Sequence, residues 1–159
     1  PKSAAIGVAN DRMHLVMAQV LGDRGVDGFV FRGDDGLDEL TLTTTTQVLT
    51  IGNGEIESGL IDPPKFGIEY SPIEKLVGGE ASENAKIALA VFAGEKGAPR
   101  DATILNAGAA IAAYNNDAEL DLTTRFEEGI AAAIEAIDSG AATDLLNRWA
   151  KLTQALVNS

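Results

Sequence analysis

Cysteine is absent from the 159-residue sequence, and histidine occurs once, as His14. The lack of cysteine excludes disulfide bridges, cysteine-ligated zinc and thiol nucleophiles. A single histidine gives little support to Ser-His-Asp triads or to histidine-rich metal sites. No apolar run approaches the ~18 residues of a membrane-spanning helix, so we expect no membrane partner. Lysine and arginine total 12 against 24 aspartates and glutamates, and the net charge of −12 argues against nucleic acid as a partner.

The residues that are present suit one globular domain or a large piece of one. Hydrophobic residues make up 45% of the chain and charged residues 23%, which is ordinary for a folded domain and excludes wholesale disorder. Pro1 is not a translational start, and a predicted buried strand follows almost at once. We therefore expect a processed or truncated product.

The first part of the chain predicts a βαβ unit. Residues 4–8 form an apolar run typical of a buried strand, and Asn10-Asp11 suits a helix N-terminus. Apolar residues then recur with the helical period, at Met13, Val16, Met17, Val20 and Leu21. This pattern places His14 on the solvent side of the helix. Residues 28–31 predict a second strand, which should run parallel to the first because a helix joins them.

An antiparallel hairpin at a sheet edge is predicted next. Residues 41–51 are rich in threonine and valine, residues 52–54 read Gly-Asn-Gly, and residues 55–61 alternate partly between polar and apolar. Four threonines occupy residues 43–46. We interpret them as residues of a half-exposed strand rather than as hydroxyls that bind an anion.

The second half predicts alanine-rich helices whose backbones approach closely. One helix spans about residues 80–92, and Pro99 fits the first turn of the next. Thr124 and Glu127 have capping-box spacing ahead of a third helix. The last helix carries Leu145, Trp149, Leu152 and Leu156 on one face, with Trp149 as a core anchor. The fold class is therefore α/β: a βαβ start with parallel strands, an antiparallel edge hairpin and several alanine-rich helices.

An acidic loop is the strongest candidate for chemistry. It places four carboxylates close together in the chain, on Asp34, Asp35, Asp38 and Glu39. The loop follows the second strand, at the carboxyl end where open α/β sheets place ligands. Carboxylates that converge in a turn suit Mg²⁺, which takes one or two of them together with phosphates and waters. A solvated acidic turn is the alternative, and the composition of the loop does not decide between the two.

Two further groups are weaker candidates. Gly78-Gly79 precedes a helix and could expose backbone N–H groups to an anion, although Glu80 would repel it. Arg100 and Asp101 lie in the first turn of a predicted helix, where we interpret them as a cap and a local ion pair rather than a catalytic pair.

Several segments, taken in order, resemble the anthranilate phosphoribosyltransferase family. They are GDDGLDEL with the threonines that follow it (33–40), PKFG (64–67), GGEASENA (78–85), RDATILNA (100–107) and AIDSGAA (136–142). Together they extend over essentially all 159 residues. One small departure is Glu80, where the family more often has aspartate. The resemblance implies that residues 1–159 are the C-terminal portion of the large α/β domain, of the nucleoside phosphorylase and phosphoribosyltransferase type.

The resemblance also implies a function. The family transfers a phosphoribosyl group from phosphoribosyl pyrophosphate to the amine of anthranilate, with Mg²⁺, in tryptophan biosynthesis. By this resemblance Asp38 and Glu39 are the metal carboxylates, and no catalytic or substrate-binding residue is expected in this chain. The family's glycine-rich loop for phosphoribosyl pyrophosphate and its N-terminal helical domain would lie outside the chain. Both substrates would therefore be bound mostly elsewhere, and the isolated chain is expected to be inactive.

Two alternatives stay open at this point. One is an enzyme like pyrimidine nucleoside phosphorylase, which shares the general fold and also transfers a ribosyl group. The other is a non-catalytic paralogue that binds a partner. For the full-length enzyme the resemblance implies a cytoplasmic homodimer.

Overall fold

A computed structural model, which describes residues 1–157, contains a four-stranded sheet with helices packed on both faces. The strands are β1 (Ser3–Gly7), β2 (Asp27–Gly33), β3 (Thr46–Gly52) and β4 (Glu55–Ile61), in the order β1-β2-β3-β4. β1 and β2 are parallel, and β2–β3 and β3–β4 are antiparallel. The predicted βαβ start and antiparallel edge hairpin are confirmed, although β3 begins at Thr46 and not at residue 41.

Five α-helices account for most of the remaining chain. They are α1 (Asp11–Asp23), α2 (Ala81–Phe92), α3 (Ala98–Asn115), α4 (Leu122–Asp138) and α5 (Ala141–Val157). Short 3₁₀ helices span Pro63–Phe66 and Ile73–Lys75. The predicted capping box of α4 is wrong. Its N-cap is Asp121, whose carboxylate accepts hydrogen bonds from the N–H (3.1 Å) and the hydroxyl (2.8 Å) of Thr124.

Alternating side chains of β2 build two cores, one on each face of the sheet. Phe29 and Phe31 face α3 and α4, and the ring of Phe29 meets that of Phe126 edge to face, with centroids 5.2 Å apart. Val30 faces the opposite side, where it packs with Ala18 and Leu21 of α1. The sheet is therefore held between α1 and the α3–α4 pair.

The close approach of alanine-rich helices is confirmed between α3 and α4. A Cβ atom at Gly129 would overlap the carbonyl oxygen of Gly108. Glycine at these two positions lets the backbones touch, because neither residue carries a side chain to separate them.

The face that α1 buries differs from the predicted one. Its buried residues are His14, Ala18 and Leu21, whereas Met13 and Val16 are about 40% exposed. The Nε2 atom of His14 donates a hydrogen bond to the carbonyl oxygen of Val30 at 2.9 Å. The prediction that His14 lies on the solvent side is thus wrong, because the strand beneath the helix supplies a partner for the imidazole ring.

Helix α5 lies on the outside of the molecule, and its apolar stripe is exposed. Trp149 is 65% exposed, and Leu145, Leu152 and Leu156 are exposed to a similar extent. The prediction of Trp149 as a core anchor is therefore wrong. Across the described residues, no helix has both the length and the apolar character that crossing a bilayer requires.

Candidate magnesium site

The acidic loop connects β2 to β3 and is closed by its own backbone. The N–H of Gly33 donates to the carbonyl oxygen of Leu37 at 2.9 Å, and the N–H of Asp34 donates to that of Thr45 at 3.0 Å. Gly36 has φ +93°, a conformation that glycine adopts without strain. The loop is thus a compact turn at the carboxyl end of β2.

Two of the four carboxylates hold this turn together. Asp35 accepts hydrogen bonds from the hydroxyls of Thr41 (2.6 Å) and Thr43 and from the N–H of Leu37 (3.1 Å). Partial burial by itself raises the pKa of Asp35, but these hydrogen bonds outweigh burial and leave the pKa below its ordinary value. The Asp35 carboxylate is therefore occupied by hydrogen bonds within the loop and stabilises it.

Asp34 has an equivalent role on the other side of the turn. Its carboxylate accepts hydrogen bonds from the hydroxyl of Thr45 and from Nε2 of Gln47, the latter at 3.2 Å. Thr43 and Thr45 thus lie in a turn and bind carboxylates. The interpretation of residues 43–46 as a half-exposed strand is wrong. Residues 43–45 precede β3, and the hydroxyls of Thr43 and Thr45 bind the two aspartates instead. Thr46 does lie in β3, but it is fully buried.

Asp38 and Glu39 are the two carboxylates that the loop leaves available. Both residues are exposed, and neither side chain has a hydrogen bond or ion pair to any residue within 1–157. Both line two adjoining open cavities of about 430 and 420 Å³, which also share Ala102 and Thr103. Lys75 lies on the wall of the larger cavity. The acidic pair therefore faces open space large enough for a hydrated ion and a phosphorylated ligand.

Asp38 and Glu39 fit Mg²⁺ only together with other ligands, such as waters and substrate phosphates. No group of three or more histidine, cysteine or acidic side chains in the described part of the chain could hold a metal ion by itself. Mg²⁺ does not need such a cage, because it keeps several waters and is commonly bound by one or two carboxylates together with substrate phosphates. Asp38 and Glu39 offer that number of ligands.

The other predicted candidates are used within the fold. The N–H of Gly79 donates to Oδ1 of Asn84 at 2.8 Å, so it is not available to an anion. Arg100 does not pair with its neighbour Asp101: it is 3% exposed and donates from Nη2 to Asp138 of α4 at 2.9 Å. Burial raises the pKa of Asp101 against the attraction of Arg100 and Lys96. Arg100 thus joins α3 to α4.

Asn106 is a residue near the site that the sequence patterns do not single out. It lines the smaller cavity together with Asp38 and Glu39, and its side chain contacts the loop backbone. The helical apolar pattern around Asn106 does not predict this role. The sequence signal that could have identified it is the presence of a polar residue inside the alanine-rich stretch of α3.

The chain is similar in sequence to known proteins over most of its length. A family model described as "Glycosyl transferase family, a/b domain" matches residues 1–143. An anthranilate phosphoribosyltransferase of Arthrobacter sp. (strain FB24) is 46% identical over 153 residues, which are 96% of this chain and 44% of that protein. One from Rhodococcus jostii (strain RHA1) is 44% identical over 159 residues, 100% of this chain and 44% of its own length.

Solved structures show the same fold. A crystal structure of anthranilate phosphoribosyltransferase from Thermus thermophilus has a TM-score of 0.76 at 35% identity and covers 90% of this chain and 40% of that one. The Saccharomyces cerevisiae enzyme in complex with PRPP and Mg has a TM-score of 0.78 at 25% identity, with coverages of 92% and 41%. The chain thus spans less than half the length of the relatives that it matches.

Proposed function

The chain belongs to the glycosyl transferase a/b-domain family, and on that premise we propose that it is the part of an anthranilate phosphoribosyltransferase that carries the magnesium carboxylates, Asp38 and Glu39. The proposal depends on one observation, which is that the four carboxylates of the acidic loop differ in their hydrogen bonding. Asp34 and Asp35 are committed to threonines, whereas Asp38 and Glu39 are exposed, free of protein partners among the described residues and shared by two cavities.

The proposed reaction exchanges one bond at C1 of the ribose. The bond to the pyrophosphate oxygen breaks and a bond to the anthranilate nitrogen forms, while the amine gives up a proton to solvent water and pyrophosphate leaves. A magnesium ion bound with the pyrophosphate group would neutralise the charge that builds on the departing oxygens. Asp38 and Glu39 would supply one or two anionic ligands and leave the remaining positions to water and phosphate.

This arrangement suits a protein with a net charge of −12. A strongly acidic surface repels a pyrophosphorylated donor, and a divalent cation between carboxylates and phosphates converts that repulsion into attraction. The two bacterial relatives, at 44–46% identity, are both named anthranilate phosphoribosyltransferase, and one fungal structure holds PRPP and Mg together. These names support the substrates proposed here.

The rest of the active site would come from polypeptide outside these 159 residues. The relatives are more than twice as long as their matched region, so most contacts to phosphoribosyl pyrophosphate and anthranilate would be made elsewhere. We expect the isolated chain to be inactive and the complete enzyme to be a cytoplasmic homodimer.

The test is a hybrid enzyme, in which the region of the Arthrobacter relative that matches this chain is exchanged for this chain. The hybrid should release pyrophosphate from phosphoribosyl pyrophosphate in the presence of anthranilate and Mg²⁺. The double variant Asp38→Asn with Glu39→Gln should lower turnover at limiting Mg²⁺ by about a hundredfold or more, with little loss of stability, because each removed charge weakens stabilisation of the transition state.

The matched control is Glu127→Gln with Glu128→Gln, which removes the same two charges from an adjacent, exposed pair on α4. It should leave turnover and Mg²⁺ dependence unchanged. Kinetics of the Asp38/Glu39 variant like those of the hybrid would refute the metal assignment. Activity with a pyrimidine nucleoside and inorganic phosphate, in place of anthranilate and phosphoribosyl pyrophosphate, would favour the phosphorylase alternative.

A further inference from the structure

Asn106 of α3 joins its helix to the acidic loop by its side-chain amide. Oδ1 accepts a hydrogen bond from the N–H of Leu40 at 3.0 Å, and Nδ2 donates to the carbonyl oxygen of Leu40 at 2.9 Å. Nδ2 also donates to the carbonyl oxygen of Ala102, one helical turn earlier, at 3.0 Å. Both N–H bonds and one acceptor position of the amide are therefore used.

The residue that Asn106 holds is the one next to Glu39. Leu40 is 1% exposed, and its side chain packs in the main core with Phe29 and Phe31. A backbone amide this close to the core has no ready alternative partner, and leaving its N–H and C=O unsatisfied is costly. The amide of Asn106 thus fixes the backbone at Leu40, where the chain passes from the exposed acidic pair into the core.

The opposite side of the pair is fixed by β1. Gly7 lies against the backbone of Asp38, where a Cβ atom would overlap the Asp38 carbonyl oxygen. Gly7, Asp38, Glu39 and Asn106 line the same cavity of about 420 Å³. The two carboxylates are therefore carried on a backbone segment held between a strand and a helix.

We propose that Asn106 is a positioning residue for the Asp38–Glu39 pair. Its amide sets the backbone at Leu40, and this backbone directs both carboxylates into the shared cavities. The inference rests on the proposed function, in which the pair binds Mg²⁺. Residues that orient metal ligands typically change metal affinity by about 10–100-fold when they are replaced.

The test compares the hybrid enzyme with its variant Asn106→Leu, which keeps the approximate shape of the side chain and removes all three hydrogen bonds. The probe is Mn²⁺, whose binding is followed by electron paramagnetic resonance with phosphoribosyl pyrophosphate present and anthranilate omitted. We expect the dissociation constant for Mn²⁺ to rise by about 10–100-fold. Asn106→Ser, which can still donate to Ala102 but cannot span Leu40, should show the same direction of change.

A destabilised control separates positioning from stability. Ile51→Val removes one methylene from the core on the other face of the sheet. It should lower the melting temperature without changing the affinity for Mn²⁺. If both Asn106 variants bind Mn²⁺ like the hybrid while Asp38→Asn with Glu39→Gln does not, the positioning role is wrong and the proposed function stands. If the Asp38/Glu39 variant also binds Mn²⁺ normally, the proposed function itself is wrong.

A measurement on the unaltered 159-residue chain applies even if the Asn106 variants do not fold. Amide hydrogen exchange, read by NMR, should show the N–H of Leu40 protected to the same extent as the buried residues of α3. A Leu40 amide that exchanges as fast as the exposed amides of the loop would overturn the inference, because the clamp would then be open in solution.

Discussion

Gly7 and Asp38 are in backbone contact across the sheet edge, and a Cβ atom at residue 7 would overlap the carbonyl oxygen of Asp38. The backbones of β1 and the acidic loop can touch here only because residue 7 has no side chain. The contact sets where one of the two available carboxylates lies relative to the end of β1. A glycine at the end of a strand is therefore part of the candidate metal site.

Replacing this glycine should displace the acidic pair. In the hybrid enzyme, Gly7→Ala is expected to lower turnover at limiting Mg²⁺ by about a hundredfold, since a shift of about 1 Å in a positioned group can have that effect. Gly52→Ala is the control, because its Cβ would meet no atom within 4 Å. Equal Mg²⁺ dependence for Gly7→Ala and Gly52→Ala would contradict the role given to this contact.

Protonation of Asp35 should destabilise the acidic loop at low pH. The pKa of Asp35 in the folded chain lies below its ordinary value of 3.8, so its carboxylate stabilises the fold above that value. This stabilisation is lost as the pH falls through the lower, folded pKa. The melting temperature of the 159-residue chain should therefore fall on acidification below about pH 4, and Asp35→Asn should reduce this fall.

The control variant for Asp35→Asn is Asp144→Asn, which replaces an exposed carboxylate in the first turn of α5. Its melting curve should follow that of the unaltered chain across the same pH range. An Asp35→Asn chain with an unchanged pH profile would show that the threonine hydroxyls do not stabilise the ionised carboxylate.

Trp149 should contribute little to stability in the 159-residue chain. Its side chain is 65% exposed, whereas Phe126 is fully buried between α4 and the sheet. Trp149→Gln is expected to change the free energy of unfolding by less than about 0.5 kcal/mol, and Phe126→Ala to lower it by about 3–5 kcal/mol. Urea denaturation followed by circular dichroism measures both values.

Fluorescence gives an independent check on the same residue. Trp149 is the single tryptophan of the chain, so its emission should be that of an indole in water and should be quenched readily by acrylamide. A blue-shifted, protected emission would mean that the apolar face of α5 is covered in solution.

The element order of the fold could be predicted because the signals are local. The Asn10 cap, the Gly-Asn-Gly turn and the alternation of strand residues act within a few positions of chain, and all of them appear in the structure. The acidic loop could also be located, because its glycines and its place after β2 are visible in the linear order. The identities of Asp38 and Glu39 as metal ligands came from family resemblance and remain a prediction.

The errors have a common physical origin. His14 is buried because Val30 supplies a carbonyl group for its ring, and Trp149 is exposed because no element of the described chain covers the apolar stripe of α5. Periodicity identifies an amphipathic face but does not say which neighbour it will meet. Residues 43–45 lie outside β3, and the hydroxyls of Thr43 and Thr45 bind two aspartates that lie several residues earlier in the chain.

The sequence by itself thus determined the helices, the strands, their order and the loop that holds the acidic residues, since caps, turns and periodicity depend on neighbouring residues. Only the tertiary structure decided which acidic residues of the loop have no protein partner among residues 1–157. Asp34 and Asp35 find hydroxyl partners within the turn, while Gly7 from β1 and Asn106 from α3 hold the segment that carries Asp38 and Glu39. That selection depends on contacts between residues far apart in the chain, which exist only once the strand, loop and helix have packed together.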